Sequence, residues 1–340
     1  MADVGEFEIT EDEAELYDRQ IRLWGLDAQK RLRSSNVLLI GINSLGGEVA
    51  KNLVLAGVKS LTIMDNNKVS ELDTKLQFLF SSKDIGQNRA EVACQQLQLL
   101  NPMVEVTPNV NSVEDINNEF FLSYNVVCII SSNTKTLIRL NNLCRKHEKK
   151  FFCGDVWGFY GYCFLDLNHH SYVEERATFT MKQECKEPKT KKLRTEEKTT
   201  QIITKSVDFT SLEKALAAKA GKFGTALNKQ TSSLFFLLHV IFKFWEINQR
   251  YPQIQSREDD VNKLLQLKDQ VMKELSIDSK RLEDQVLMQV FGELSPVSAV
   301  VGGVLAQEVI KAVSCKDNPI KNFFLFHGKE GGGVVENIGR

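Results

Sequence analysis

The chain has 340 residues, 42% hydrophobic and 26% charged, the make-up of a soluble globular protein with enough apolar residues for one large domain or two smaller ones. Its 43 basic and 44 acidic residues leave a formal charge of −1, so no whole-chain electrostatic footprint for nucleic acid or an anionic membrane exists and neither partner is expected. The longest apolar run, near Leu234 to Phe242, is too short to span a bilayer, and the acidic opening MADVGEFEITEDEAEL lacks the apolar centre of a secretion signal.

In chain order, Tyr17-Asp18-Arg19-Gln20-Ile21-Arg22-Leu23-Trp24-Gly25 comes first. On a helix, Asp18, Arg19 and Arg22 lie near one another, with Ile21, Leu23 and Trp24 available as anchors. Val37 to Ile40 then reads as a strand meeting the glycine turn Gly41-Ile42-Asn43-Ser44-Leu45-Gly46-Gly47. Val49, Ala50, Leu53, Val54 and Ala56 follow at helical spacing, closed by Gly57 as a C-terminal cap. A second strand, Leu61 to Met64, ends at Asp65, near the interval of about 20 residues expected of a nucleotide-binding βαβ unit. In such a unit the turn amides approach phosphates and the acid accepts from ribose hydroxyls. The middle glycine is replaced by Asn43, which tolerates a left-handed conformation but fills space that a phosphate needs. From these residues alone, a working nucleotide site and a purely structural turn stand level.

A helix from about Asn88 to Leu100, a strand near Val104 to Thr107, an apolar strand Val126 to Ile130 and a helix from Thr134 to about His147 continue the alternation. Alternation of this kind implies a mainly parallel, doubly wound sheet. Phe151 to Leu167, with Trp157-Gly158-Phe159-Tyr160-Gly161-Tyr162, reads as paired strands extending it, their aromatics filling a core or an interface rather than stacking a cofactor. Thr178 to about Lys205 is polar and charged, a mobile insert by composition. Helices follow from Ser211 to Phe291, where His239 lies in the stripe Leu234 to Trp245 without a second ligand at metal-binding spacing. Ser295-Pro296 starts a helix, the serine as cap and the proline in first position, that runs from Val297 to Val313. Gly302 and Gly303 weaken it by roughly 1 kcal/mol each relative to alanine, so both imply close approach of another backbone. Strands near Phe323 to Phe326 and Val334 to Val335 end the pattern.

The seven cysteines, at 94, 128, 144, 153, 163, 185 and 315, contain no Cys-x-x-Cys pair and mostly sit in apolar stretches, as reduced buried thiols do. No metal site is expected.

Tyr17 to Gly25, Gly41 to Gly46 with Asp65, Gln77-Phe78-Leu79-Phe80 with Asp84-Ile85-Gly86, and Pro296 to Glu308 resemble, in this order, the motifs of ubiquitin-like activating enzymes of the ThiF/MoeB type. The resemblance implies a Rossmann-like α/β fold, a doubly wound sheet with an inserted small, mostly helical domain. It divides the chain into a first adenylation-type part at 1–177, a flexible charged insert at 178–205, a helical remnant of a catalytic-cysteine domain at 206–293, and a return segment at 294–340. Gly41, Gly46, Asp65 and Arg89 would form a degenerate, inactive nucleotide site. The family's Asn-Arg pair falls on Lys75 and Leu76, its lysine on Arg89, and its magnesium-holding aspartate on Ser132. Cys185, the one cysteine in a polar stretch, lacks the family's catalytic-cysteine surroundings.

Such a chain resembles the small subunit of a heterodimer, with ATP and Mg2+ bound by a larger catalytic partner and none here. The modifier would be engaged mainly through that partner, and Arg19 would act in trans on the partner's ATP. Length and the ending Asn322 to Gly328 favour the SUMO branch over the NEDD8 branch. A nuclear pathway makes the basic cluster Lys189 to Arg194 an import signal, placing the protein in the nucleus, with the cytoplasm as a second location. Three rivals remain: a NAD-dependent oxidoreductase, which leaves Tyr17 to Gly25 and Pro296 to Glu308 unexplained; a self-sufficient adenylating homodimer; and a pure scaffold.

Overall fold

The computed structural model describes residues 9–180, 197–220 and 227–339. Three short helices open it, α1 (Glu11–Leu16), α2 (Asp18–Trp24) and α3 (Leu26–Arg33), followed by β1 (Asn36–Ile40), α4 (Ser44–Ala56), β2 (Ser60–Met64), α5 (Asp73–Leu76), α6 (Arg89–Leu100) and β3 (Glu105–Asn109). Next come α7 (Asn118–Leu122), β4 (Val126–Ile130), α8 (Thr134–Lys146), β5 (Lys150–Trp157), β6 (Tyr160–Asp166), β7 (His169–Thr180) and β8 (Glu197–Asp208). The chain closes with α9 (Leu212–Leu216), α10 (Ser233–Asn248), α11 (Arg257–Glu274), α12 (Asp284–Leu287), α13 (Ser295–Ser314), β9 (Phe323–His327) and β10 (Gly332–Glu336).

Eight strands form one sheet in the order β10-β9-β6-β5-β4-β1-β2-β3, parallel from β5 through β3 and antiparallel from β6 to β10. Successive strand residues point to opposite faces. Val37, Leu39, Val126, Cys128 and Ile130 join a cluster with α4, α6 and α13, while Leu38, Ile40, Val127 and Ile129 join one with α8, α10 and α11. Burial on both faces is why these strands read as unbroken apolar runs rather than alternating ones. Gly57 ends α4 in the left-handed conformation, at φ +80, as the sequence implied.

Several expectations change. The helical segment after β8 packs on the sheet: Phe235, Leu238 and Phe242 of α10 share a cluster with sheet residues Phe151, Phe164 and Phe323. It is the second helical layer of the sheet. The charged insert is also narrower than composition suggested, because 178–180 and 197–205 pair within the antiparallel ribbon β7–β8. Cys185 and the Lys189 to Arg194 cluster lie outside the described residues.

Ser295 does not cap α13. Leu294 occupies the cap position, and the Ser295 hydroxyl donates instead to the Leu76 carbonyl at 2.8 Å. Of the two glycines, only Gly302 is crowded: a Cβ there would sit 2.7 Å from Glu48 Cβ on α4, whereas nothing lies within 4 Å of one on Gly303. Among the described residues, α13 is the one helix long and apolar enough to cross a membrane by length and composition. Most of it is buried between α3, α4 and the sheet, as in the core helix of a globular fold.

Candidate functional site: a self-satisfied glycine turn and an exposed arginine

The turn after β1 keeps the geometry of a nucleotide-binding loop. Gly41 has φ +90, and a Cβ on it would lie 2.6 Å from the Ile130 carbonyl. Gly46 approaches the Gly41 carbonyl so closely that its own Cβ would lie 2.2 Å from that oxygen. Asn43 does not use the left-handed conformation that asparagine tolerates. At φ −75 and ψ −166 it is extended and serves as the N-cap of α4, accepting from the Gly46 amide at 3.1 Å.

The four residues of the expected degenerate site, Gly41, Gly46, Asp65 and Arg89, do converge here, but their polar groups are engaged with the chain itself. Asp65 is buried and accepts from the Ile42 amide at 2.9 Å and from both nitrogens of Asn67 at 2.8 Å. Arg89 meets Asp73 in a bidentate pair, Nη2 to both carboxylate oxygens at 2.8 Å, and stands 4.0 Å from Asp65. Asp73 also accepts from the amide and hydroxyl of Ser70.

The helix start is filled as well. Glu293, from the loop before α13, accepts from the Ser44 amide at 3.2 Å and from the Asn43 side-chain amide at 3.1 Å. Its carboxylate therefore sits at the positive end of the α4 dipole. Asn43 also donates to the Ser131 hydroxyl, which donates in turn to buried Asp155 at 2.5 Å. Burial, reinforced by the Asp155 charge, raises Glu293 to about 7 against the donors that hold it ionised, and burial raises Asp155 to about 6. Ser132, at the position of the family's metal-binding aspartate, offers its backbone carbonyl to Tyr251 at 3.2 Å. A nucleotide triphosphate with its metal does not fit these residues: the anion position holds a carboxylate, the nearby guanidinium is neutralised, and the metal-ligand position has no carboxylate. Nothing in the sequence pattern marked Glu293, which lies 249 residues from Ser44 and meets it only through the fold.

Arg19 lies elsewhere. It is exposed on α2 and makes no hydrogen bond or ion pair with the described residues, while its neighbours Asp18 and Arg22 form the i,i+4 pair at 3.0 Å. Gln20 donates to the Leu55 carbonyl at 2.9 Å, which places α2 beside the far end of α4. Eleven residues separate Leu55 from Ser44, about 17 Å along the helix axis, farther than an arginine side chain extends. Arg19 cannot serve this chain's own turn. The segment is anchored by Tyr17 rather than by Leu23, which is 73% exposed. The Tyr17 hydroxyl accepts from Asn101 at 2.8 Å and its ring fills the space beside Gly57, where a Cβ would come within 2.5 Å of it.

Of the described cysteines, Cys94, Cys128, Cys144, Cys153 and Cys163 are buried and Cys315 is half-buried. Burial pushes the thiols of Cys94 and Cys144 up to about 12, the opposite of what a thioester-forming thiolate needs. His239 packs edge-on against Phe235, and burial holds it down to about 4.

The ThiF family pattern matches residues 17–336. The chain is 44% identical to a SUMO-activating enzyme subunit 1 of Xenopus laevis, over 100% of this chain and 99% of that protein. It is 41% identical to the human SUMO-activating enzyme subunit 1, over 97% and 96% of the two chains, and 43% identical to that of Danio rerio, over 96% and 95%. The sheet, the glycine turn and these full-length likenesses agree, and the chain belongs to the ThiF family, in the group of the SUMO-activating enzyme subunit 1 proteins.

Proposed function

We propose that this chain is the non-thioester subunit of a heterodimeric SUMO-activating enzyme, supporting ATP-dependent adenylation of the SUMO C-terminus and thioester transfer on a larger partner. The observation that carries the reading is the contrast between two groups of charges. Those at the chain's own turn, Asp65, Arg89, Asp73 and Glu293, are engaged internally, whereas Arg19 is exposed, makes no ion pair with the described residues, and belongs to a helix docked at Leu55, about 17 Å along α4 from that turn. ATP and Mg2+ then belong to the partner, and SUMO is met mainly through it. Arg19 supplies a guanidinium in trans to the triphosphate, stabilising charge that develops as pyrophosphate departs. The thiols of Cys94 and Cys144, pushed up to about 12 by burial, support placing the thioester on the partner. The basic cluster Lys189 to Arg194 supports a nuclear location.

The test compares the chain alone with the chain plus its larger partner. The chain alone should neither exchange pyrophosphate into ATP nor form a DTT-sensitive adduct with SUMO, and the pair should do both. Exchange or an adduct with the isolated chain would overturn the reading in favour of a self-sufficient enzyme.

A further inference from the structure

We propose that Glu293 is a built-in substitute for a nucleotide phosphate, and that its carboxylate is what denies anions access to this chain's own glycine turn. The inference rests on the reading that this turn takes no part in adenylation, and it names the residue responsible.

Three observations converge. The backbone scaffold of a phosphate loop is intact, since Gly41 and Gly46 hold conformations and contacts that no side chain would permit. The loop has therefore not decayed into an unrelated turn. The donors it presents are occupied: the Ser44 amide at the start of the 13-residue helix α4 and the Asn43 side-chain amide both donate to Glu293, one to each carboxylate oxygen. Finally, Glu293 is delivered from the segment leading into α13, and that helix is fixed against α4 by the Gly302 contact and by the Ser295 hydroxyl on the Leu76 carbonyl. The Ser44 hydroxyl approaches the same carbonyl at 3.4 Å. A carboxylate held this way resembles a bound anion, satisfying a helix start and its positive dipole as a phosphate would. Loss of Arg89 to Asp73 lowers the affinity of the loop for a triphosphate, but Glu293 alone occupies the position and repels a second anion from it.

The experiment uses the full chain at pH 8, where Glu293 is ionised, with inorganic pyrophosphate as probe and thermal unfolding plus the amide NMR shifts of Ser44 to Gly47 as readouts. Wild type should show no pyrophosphate-dependent change. Glu293→Ala should gain a saturable shift of those amides and a rise of about 2 °C in Tm at millimolar pyrophosphate. Glu293→Gln, which removes the charge while keeping the shape, should gain a weaker response and decides the matter if the alanine variant fails to fold. Equal responses in wild type and variants, or none in a cooperatively folded variant, would overturn the inference. Neither result touches the proposed function, which is read from adenylate formation at the partner's site rather than from pyrophosphate binding here.

Discussion

Gly302 and Gly303 are adjacent in α13, yet alanine should move stability in opposite directions at the two positions. In a helix interior, glycine to alanine gains roughly 1 kcal/mol through reduced unfolded-state entropy and better helix propensity. At Gly303 nothing lies within 4 Å of the added Cβ, so the whole gain should appear. At Gly302 the new atom would sit 2.7 Å from Glu48 Cβ and 3.4 Å from the Leu45 carbonyl. The first of these contacts is too short, and Glu48 Cβ is bonded directly to the α4 backbone, so α4 and α13 must separate. Overpacking of this kind costs about 1–3 kcal/mol and outweighs the propensity gain over most of that range. The expectation is a stabilisation of about 1 kcal/mol for Gly303→Ala and a net destabilisation of up to about 2 kcal/mol for Gly302→Ala. Urea unfolding of both variants with unchanged m-values measures the difference. Stabilisation of both by the same amount would refute the close packing of α13 on α4.

Glu293 and Asp155 are raised to about 7 and about 6, so the folded state holds their protons more tightly than the unfolded chain does. Their contribution to stability is present at low pH and lost as pH rises from about 4 to about 7, by at most about 3 kcal/mol for each group. Glu293→Gln should flatten that part of the pH–stability curve, and an unchanged slope would contradict the assignment. Glu13→Ala breaks the buried pair with Arg33, whose Nη2 lies 2.5 Å from the carboxylate, and should cost about 3 kcal/mol in chemical unfolding. A loss below about 1 kcal/mol would mean that α1 is not held by this pair. Alanines at Lys189, Lys191, Lys192 and Arg194 should leave Tm unchanged and spread a fluorescently tagged chain from the nucleus into the cytoplasm. Unaltered nuclear accumulation would remove the cluster as an import signal.

The alternation of strands and helices was legible because burial on both sheet faces leaves an apolar run at each parallel strand. Val126 to Ile130 matched its strand residue for residue. A cap set by one local interaction was also readable, as at Gly57. Long-range partners were not. Ser295 looks like a cap from its neighbours, but the Leu76 carbonyl, 219 residues away, takes its hydroxyl. Gly302 and Gly303 are identical in sequence terms and differ only in what α4 places beside them. The ribbon β7–β8 was hidden because two strands paired with each other, away from the main sheet, need no apolar pattern to satisfy their backbones. At the site, Gly41, Gly46 and Asp65 were found from their spacing and Arg89 from the family resemblance, whereas Glu293 was invisible because its role depends on where the α13 segment returns.

The most direct test of the central claim is adenylate formation by the assembled heterodimer carrying Arg19→Ala, measured by ATP–pyrophosphate exchange at subsaturating ATP. A guanidinium acting on the triphosphate in trans predicts normal assembly and a rate lowered by about 10²–10³, roughly 3–4 kcal/mol of barrier. Arg19→Lys should recover only part of it, since a point charge lacks the bidentate fork. Normal assembly with a wild-type exchange rate would show that Arg19 takes no part in the reaction and that the chain acts as a scaffold.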